Sequence, residues 1–195
     1  MRFPEQFEAE KNTERALEAQ RLNVLYEYAK SREQEVGRIH EADFTETYGA
    51  NIVMDDRAYV EEHKKRSAEE RARLPDDERR QAEETGKLAY IMEVLLQDEG
   101  ELSEWFGHDA RTAMASEFDD WKNGVDAVVE FETESGAEHL ALAVDFTLKR
   151  GSLQKVQRIK EDIDRGRLAE IKYFKSKRPE EPAGLRNLAK VVVTC

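Results

Sequence analysis

Apolar and polar positions are arranged differently in the two halves of the chain. Residues 5–36 carry Ala16, Leu17, Ala19, Leu22, Val24, Leu25, Tyr26, Tyr28 and Ala29 near helical period among Glu, Lys and Arg. This predicts a long helix that stops at Gly37. Residues 38–57 are mixed, with Phe44, Tyr48, Ile52, Val53 and Met54 as packing positions. Residues 58–74 alternate both signs of charge, which predicts a solvated helix or arm held by i,i+4 pairs. Pro75-Asp76-Asp77 starts another helix, with acidic residues at its positive end. Leu88, Ile91, Met92, Leu95 and Leu96 share one of its faces, and it should end near Gly100. A short helix through Leu102, Trp105 and Phe106 to Gly107 follows.

The pattern changes after residue 117. Residues 118–124 read as a turn. Val125 to Phe131 is a strand, 132–138 a polar hairpin loop, and His139 to Leu148 a second strand. Its continuous LALAV stretch predicts cover on both faces. Ser152 caps a helix whose buried face is Leu153, Val156, Ile159 and Ile163, with Gly166 after its end. Leu168 to Phe174 and Lys190 to Thr194 are further strand candidates. A helix between two strands allows a parallel crossover. The fold class is therefore α+β with α/β character: a small mixed sheet of about four strands flanked by helices. A charged helical extension (1–74) precedes a core (75–195).

Composition sharpens this. Charged residues make up 38% of the 195 residues, against roughly 25% in an average domain. The net charge of −12 disfavours polyanion binding over the whole surface, so any nucleic-acid contact needs a local basic patch. Lys172-Tyr173-Phe174-Lys175-Ser176-Lys177-Arg178 interleaves aromatics with cations as such a patch would, and a solvated strand end accounts for it equally. The single cysteine, Cys195, suits a reducing, cytoplasmic setting. No signal core or membrane span is present, so a soluble protein is expected. The sequence stops at Cys195 directly after a strand, an abrupt ending that a truncated reading frame would explain.

Two carboxylates interrupt the apolar strands. Parity puts Asp126 with Val128 and Glu130 on one strand, and Asp145 with His139, Ala141, Ala143, Thr147 and Lys149 on the next. Leu140, Leu142, Val144, Phe146 and Leu148 form the opposite, core face. A charge among alanines must be paired, hydrogen-bonded or metal-bound. Two such carboxylates can share a divalent cation. Asp126 as a turn cap after Asn123-Gly124, and Asp145 paired with Lys155, Lys160 or Lys172, are the structural alternatives.

The order helix, Asp-bearing strand, acidic strand, helix, strand resembles the PD-(D/E)XK nuclease fold over roughly residues 75–195. The resemblance implies a metal-dependent nuclease using Mg²⁺ or Mn²⁺. Asp126 and Asp145 would be its metal ligands, and Glu93 would be the acidic residue of the helix. The family lysine two positions after the second acidic residue is Thr147 here; Lys149 or Lys172 would take its role. Lys172, Lys175, Lys177 and Arg178 would hold the nucleic-acid backbone. The missing lysine and the negative charge equally suit an inactive, nuclease-like module that binds a protein partner or a second copy through its N-terminal helices. The segments FDDWKNGVDAVVEF, HLALAVDFTLK and GRLAEIKYFKS also resemble uncharacterised proteins of candidate-phyla bacteria, which implies no activity. The histidines His40, His63, His108 and His139 have no metal-ligand spacing, and phosphate-loop and nucleophile-elbow patterns are missing.

Overall fold

The computed structural model describes residues 4–102, 107–108, 110–131, 140–147, 152–176 and 183–194. Helix α1 spans Pro4–Val36 and stops where predicted: Gly37 takes φ 81° and its N–H donates to the Glu33 carbonyl. A 3₁₀ turn (Glu41–Phe44) and a single turn α2 (Thr45–Tyr48) lead to α3 (Ala50–Ala72). Thus the mixed segment and the charged arm merge into one helix. Val53 and Val60 are its buried positions, seven apart and so on one face.

Helix α4 (Asp76–Leu102) lies along α1. Leu22, Tyr26 and Ala29 of α1 meet Ile91 and Val94 of α4, and both reach Met114 of the sheet. The Arg32 guanidinium clamps Asp98 through two hydrogen bonds of 2.9 and 2.6 Å across the same seam.

The sheet has five strands, one more than the sequence pattern suggests, in the order β1-β2-β3-β5-β4. The unanticipated strand is β1 (Ala110–Met114); Ala-Arg-Thr-Ala-Met has one β-branched residue and no clear alternation. It pairs antiparallel with β2 (Ala127–Phe131), which pairs antiparallel with β3 (Leu140–Thr147). Ala127, Val128, Val129 and Glu130 are all buried, so β2 is covered on both faces. Helix α5 (Ser152–Asp164) and the edge strand β4 (Ala169–Ile171) follow, and β5 (Leu185–Thr194) returns parallel to β3. A parallel crossover is present, but it joins β3 to β5; β4, the strand that directly follows α5, lies beyond β5 and pairs with it antiparallel.

Besides β2, two strands differ clearly in length from expectation. β5 begins five residues early and holds Asn187 at φ 60°, where its register with β4 shifts. β4 ends at Ile171 instead of Phe174 because the next two backbone N–H groups, of Lys172 and Tyr173, donate to the Asp119 carboxylate. Asp119 belongs to a π-helical turn (Asp119–Asn123), where the sequence suggested an irregular turn; it closes on Gly124 at φ 60°. Residues 103–106 of the predicted short helix lie outside the described residues.

Three cores hold these layers. One joins α1, α4 and β1. A second, under the sheet, contains Ala115, Val125, Val128, Ile171, Phe174 and Leu188. The third packs Phe44, Val53 and Val60 against Phe118 and Tyr173. The helical segment before residue 75 thus supplies side chains to the same interior as the sheet.

Gly184 is tightly enclosed. Its φ is 83°, and a Cβ there would sit 3.0 Å from the Ile171 and Lys172 carbonyl oxygens and the Tyr48 hydroxyl. Gly184→Ala is expected to lower stability by about 2 kcal/mol from left-handed strain plus crowding, read as a shift in urea midpoint.

Candidate functional site

The end of the sheet collects the residues of interest. The Ala115 N–H donates to the Asp126 carbonyl (3.0 Å), which continues the β1–β2 ladder one step past Met114↔Ala127. Asp126 thus precedes β2, which begins at Ala127 rather than Val125. The β2–β3 register ends at Ala127↔Val144, and residues 126 and 145 are the next on each chain past that pair. Asp145 itself pairs with Val192 of β5. Positions 115 and 126, just past the ends of β1 and β2, and positions 145 and 192, paired within β3 and β5, thus lie toward one end of the sheet. The Asp126 side chain is half-buried. Position 147, where the lysine of the resembling family would fall, pairs with Thr194.

Arg38 flanks this end of the sheet. Its Nη1 donates to the Ala115 carbonyl (3.1 Å) and its Nε to Glu33 (2.9 Å). Burial disfavours its charge, but Glu33, Asp120 and Glu93 raise its pKa above the ordinary value. Glu93 is half-buried on α4 and lies in the field of Arg38. Burial would raise the Glu33 carboxyl, yet hydrogen bonds from Tyr90 and Arg38 hold it below the usual range. The Tyr90 hydroxyl is pushed well up, by burial first and by Glu33 second.

The best-supported carboxylate is Asp119, which sequence reasoning did not single out. It is fully buried. Oδ1 accepts from Lys172 N (2.8 Å) and Asn123 Nδ2 (2.7 Å); Oδ2 accepts from Ser116 Oγ (2.8 Å) and Tyr173 N (2.9 Å). The Asp119 N–H donates back to Ser116 Oγ (3.1 Å). Ser116-x-x-Asp119 has the spacing of a capping box, the signal that marks it. With four donors, Asp119 is a structural hub joining the 116–124 turn to the segment after β4.

Lys172 lies inside rather than on an outer basic patch. Its Nζ is ion-paired with Asp56 and sits 5.1–5.5 Å from the ring centroids of Phe118, Tyr173 and Tyr48. The Tyr173 hydroxyl donates to the same Asp56 oxygen (2.6 Å), and burial together with Asp56 pushes its pKa far up. Tyr48 donates to the Lys172 carbonyl (2.7 Å). Lys175 is exposed. Lys149, Lys177 and Arg178 lie outside the described residues, as do the side chains of Asp145 and Lys155. Lys160 is exposed on α5. Lys190 was also not anticipated. It reaches from β5 to donate to the Gly124 carbonyl, two residues before Asp126.

Among the described residues no three His, Cys, Asp or Glu side chains are grouped to hold a metal ion. No described helix is long and apolar enough to cross a membrane. Comparison with family models, curated proteins and solved structures finds no match to this chain. What the site can do follows from its own residues.

Proposed function

We propose that this chain is a metal-dependent nucleic-acid phosphodiesterase of the PD-(D/E)XK type. One observation supports the reading: the β2–β3 ladder ends at Ala127↔Val144, and Asp126 and Asp145 are the next residues past that pair on their two chains. The order α4, β1, β2, β3, α5, β4, β5 contains the succession that the resemblance implies, with β1 and β4 added to it. Two carboxylates so placed offer hard oxygen donors to Mg²⁺ or Mn²⁺. Such an ion, when bound, would polarise a phosphate and lower the pKa of a water. Glu93 lies in the field of Arg38, so its part in this reading is to hold that guanidinium beside this end of the sheet rather than to bind metal. Lys172 is tied to Asp56, which leaves Lys149 as the candidate for stabilising developing charge. A cytoplasmic setting belongs to the same proposal and rests on composition alone.

The test is incubation with single- and double-stranded DNA and RNA in Mn²⁺. Cleavage is expected, and Asp126→Ala or Asp145→Ala should lower it by about 100-fold. Cleavage unaffected by either change would sink the reading.

A second reading has its own support. Thr147 stands where a lysine is expected, and α1 leaves Leu17, Val24, Leu25 and Tyr28 exposed. An inactive module would use that face for a protein partner or a second copy. Light scattering of the intact chain that shows a monomer at all concentrations would count against self-association.

A further inference from the structure

Two clefts meet at Asn123, one on each side of β4. The first, of about 490 Å³, lies between α5 and the β4–β5 pair and is lined by Arg158, Arg165, Arg167 and Lys190 with Glu161 and Asp162. The second, of about 720 Å³, is lined by Lys122, Lys172 and Arg186 with Glu170, and by the rings of Tyr48 and Phe118. Lys172 being ion-paired with Asp56, six other cations stand against three carboxylates along these walls, in a chain of net charge −12. The net charge of the chain disfavours a polyanion, whereas the walls of these clefts favour one.

Local pairing does not cancel this excess. Arg167 is bound to Asp162 (2.7 Å) and Arg165 to Glu161 (3.8 Å), but both arginines keep most of their side chains in solvent. Arg158, Lys122 and Arg186 are exposed. The shared residue, Asn123, sits one position before Gly124, whose carbonyl holds Lys190. Both clefts therefore border the turn that delivers Asp126 to the sheet end.

We infer that the two clefts form one trough for a single strand of nucleic acid, with the phosphodiester backbone along the arginines and lysines. The ligand class rests on the phosphodiesterase reading, although the trough needs no metal. Spaced cations track successive phosphates, and the half-buried Tyr48 ring on the wall suits an unpaired base, which has a π-face that an acidic peptide lacks, whereas Phe118 belongs to the core. Trp121, exposed on the same turn, adds a further ring. This places the backbone contacts on residues 122, 158–167, 186 and 190 instead of on residues 172–178.

The test uses the full chain with EDTA present, so that binding is separated from cleavage. Anisotropy of a labelled 12-nucleotide single strand is measured from 50 to 200 mM salt. Wild type should bind, with affinity falling as salt rises. Arg158→Gln/Arg165→Gln/Arg167→Gln should weaken binding at least tenfold and flatten the salt slope by about 2, at roughly 0.7 per phosphate contact. Lys122→Gln/Arg186→Gln should weaken it from the other cleft. All five positions are exposed, and circular dichroism confirms that each variant is folded. No binding by wild type, unchanged affinity in either variant, or equal binding of polyglutamate overturns the trough. Binding without Mn²⁺ cleavage would sink the catalytic reading and keep the trough; cleavage with unaltered affinities would do the reverse.

Discussion

Asp119→Ala is expected to destabilise the protein by about 4 kcal/mol, the largest effect of any single substitution considered. The carboxylate is fully buried and accepts from two backbone N–H groups, a hydroxyl and an amide. The Lys172 and Tyr173 N–H groups have left the sheet to reach it, so truncation strands them without a ladder to rejoin. Each buried donor left unmade costs about 1–3 kcal/mol. Asp119→Asn should lose nearly as much, because an amide nitrogen must face a donor on one side or the other. Urea denaturation with an unchanged m-value is the measurement. A loss below about 1 kcal/mol, the range of surface changes, would show that the hub is dispensable.

Lys172→Met should cost about 3 kcal/mol, since removing one partner of an enclosed ion pair leaves the other charge uncompensated. Asp56 is the charge left behind, 15% exposed, with the Tyr173 hydroxyl still donating to it. The lysine stem also fills space between three aromatic rings. The pair change Asp56→Leu/Lys172→Met should recover most of the loss. This separates a structural from a catalytic lysine. With Lys172 structural, any cleavage per folded molecule is retained in Lys172→Met at a temperature where the variant is folded. Loss of cleavage at full foldedness would return Lys172 to the chemistry.

Much of the architecture was legible because it depends on local periodicity. The apolar stripes through Leu22, Tyr26 and Ala29 and through Ile91 and Leu95 announce helices α1 and α4, while the seam between them and the buried Val94 were not read from the pattern, and Leu88, placed on that face, is exposed. The strands on either side of the 132–138 loop were legible for the same reason. What was hidden depends on contacts across long separations. Whether 168–174 stays a strand is decided by Asp119, 53 residues upstream of Lys172, and nothing within 168–174 reports it. Asp119 and Asp120 look alike in the sequence; one is the buried hub and the other acts on Arg38. Lys172 looked like a surface cation because its apolar neighbours, Phe118 and Tyr48, come from other elements. The strand β1 is too short and too small-residued to stand out.

The placement of β5 between β3 and β4 bears on how the molecule is made. On a ribosome β4 emerges before the strand that must separate it from β3. Until residues 185–194 follow, β3 has a bare hydrogen-bonding edge and β4 has nothing to pair with. The nascent chain can dock α1 on α4 early, but its sheet waits for the last strand to be threaded into the middle. During that interval the open edge of β3 is the surface most exposed to wrong partners, and a helper that shields it would act there.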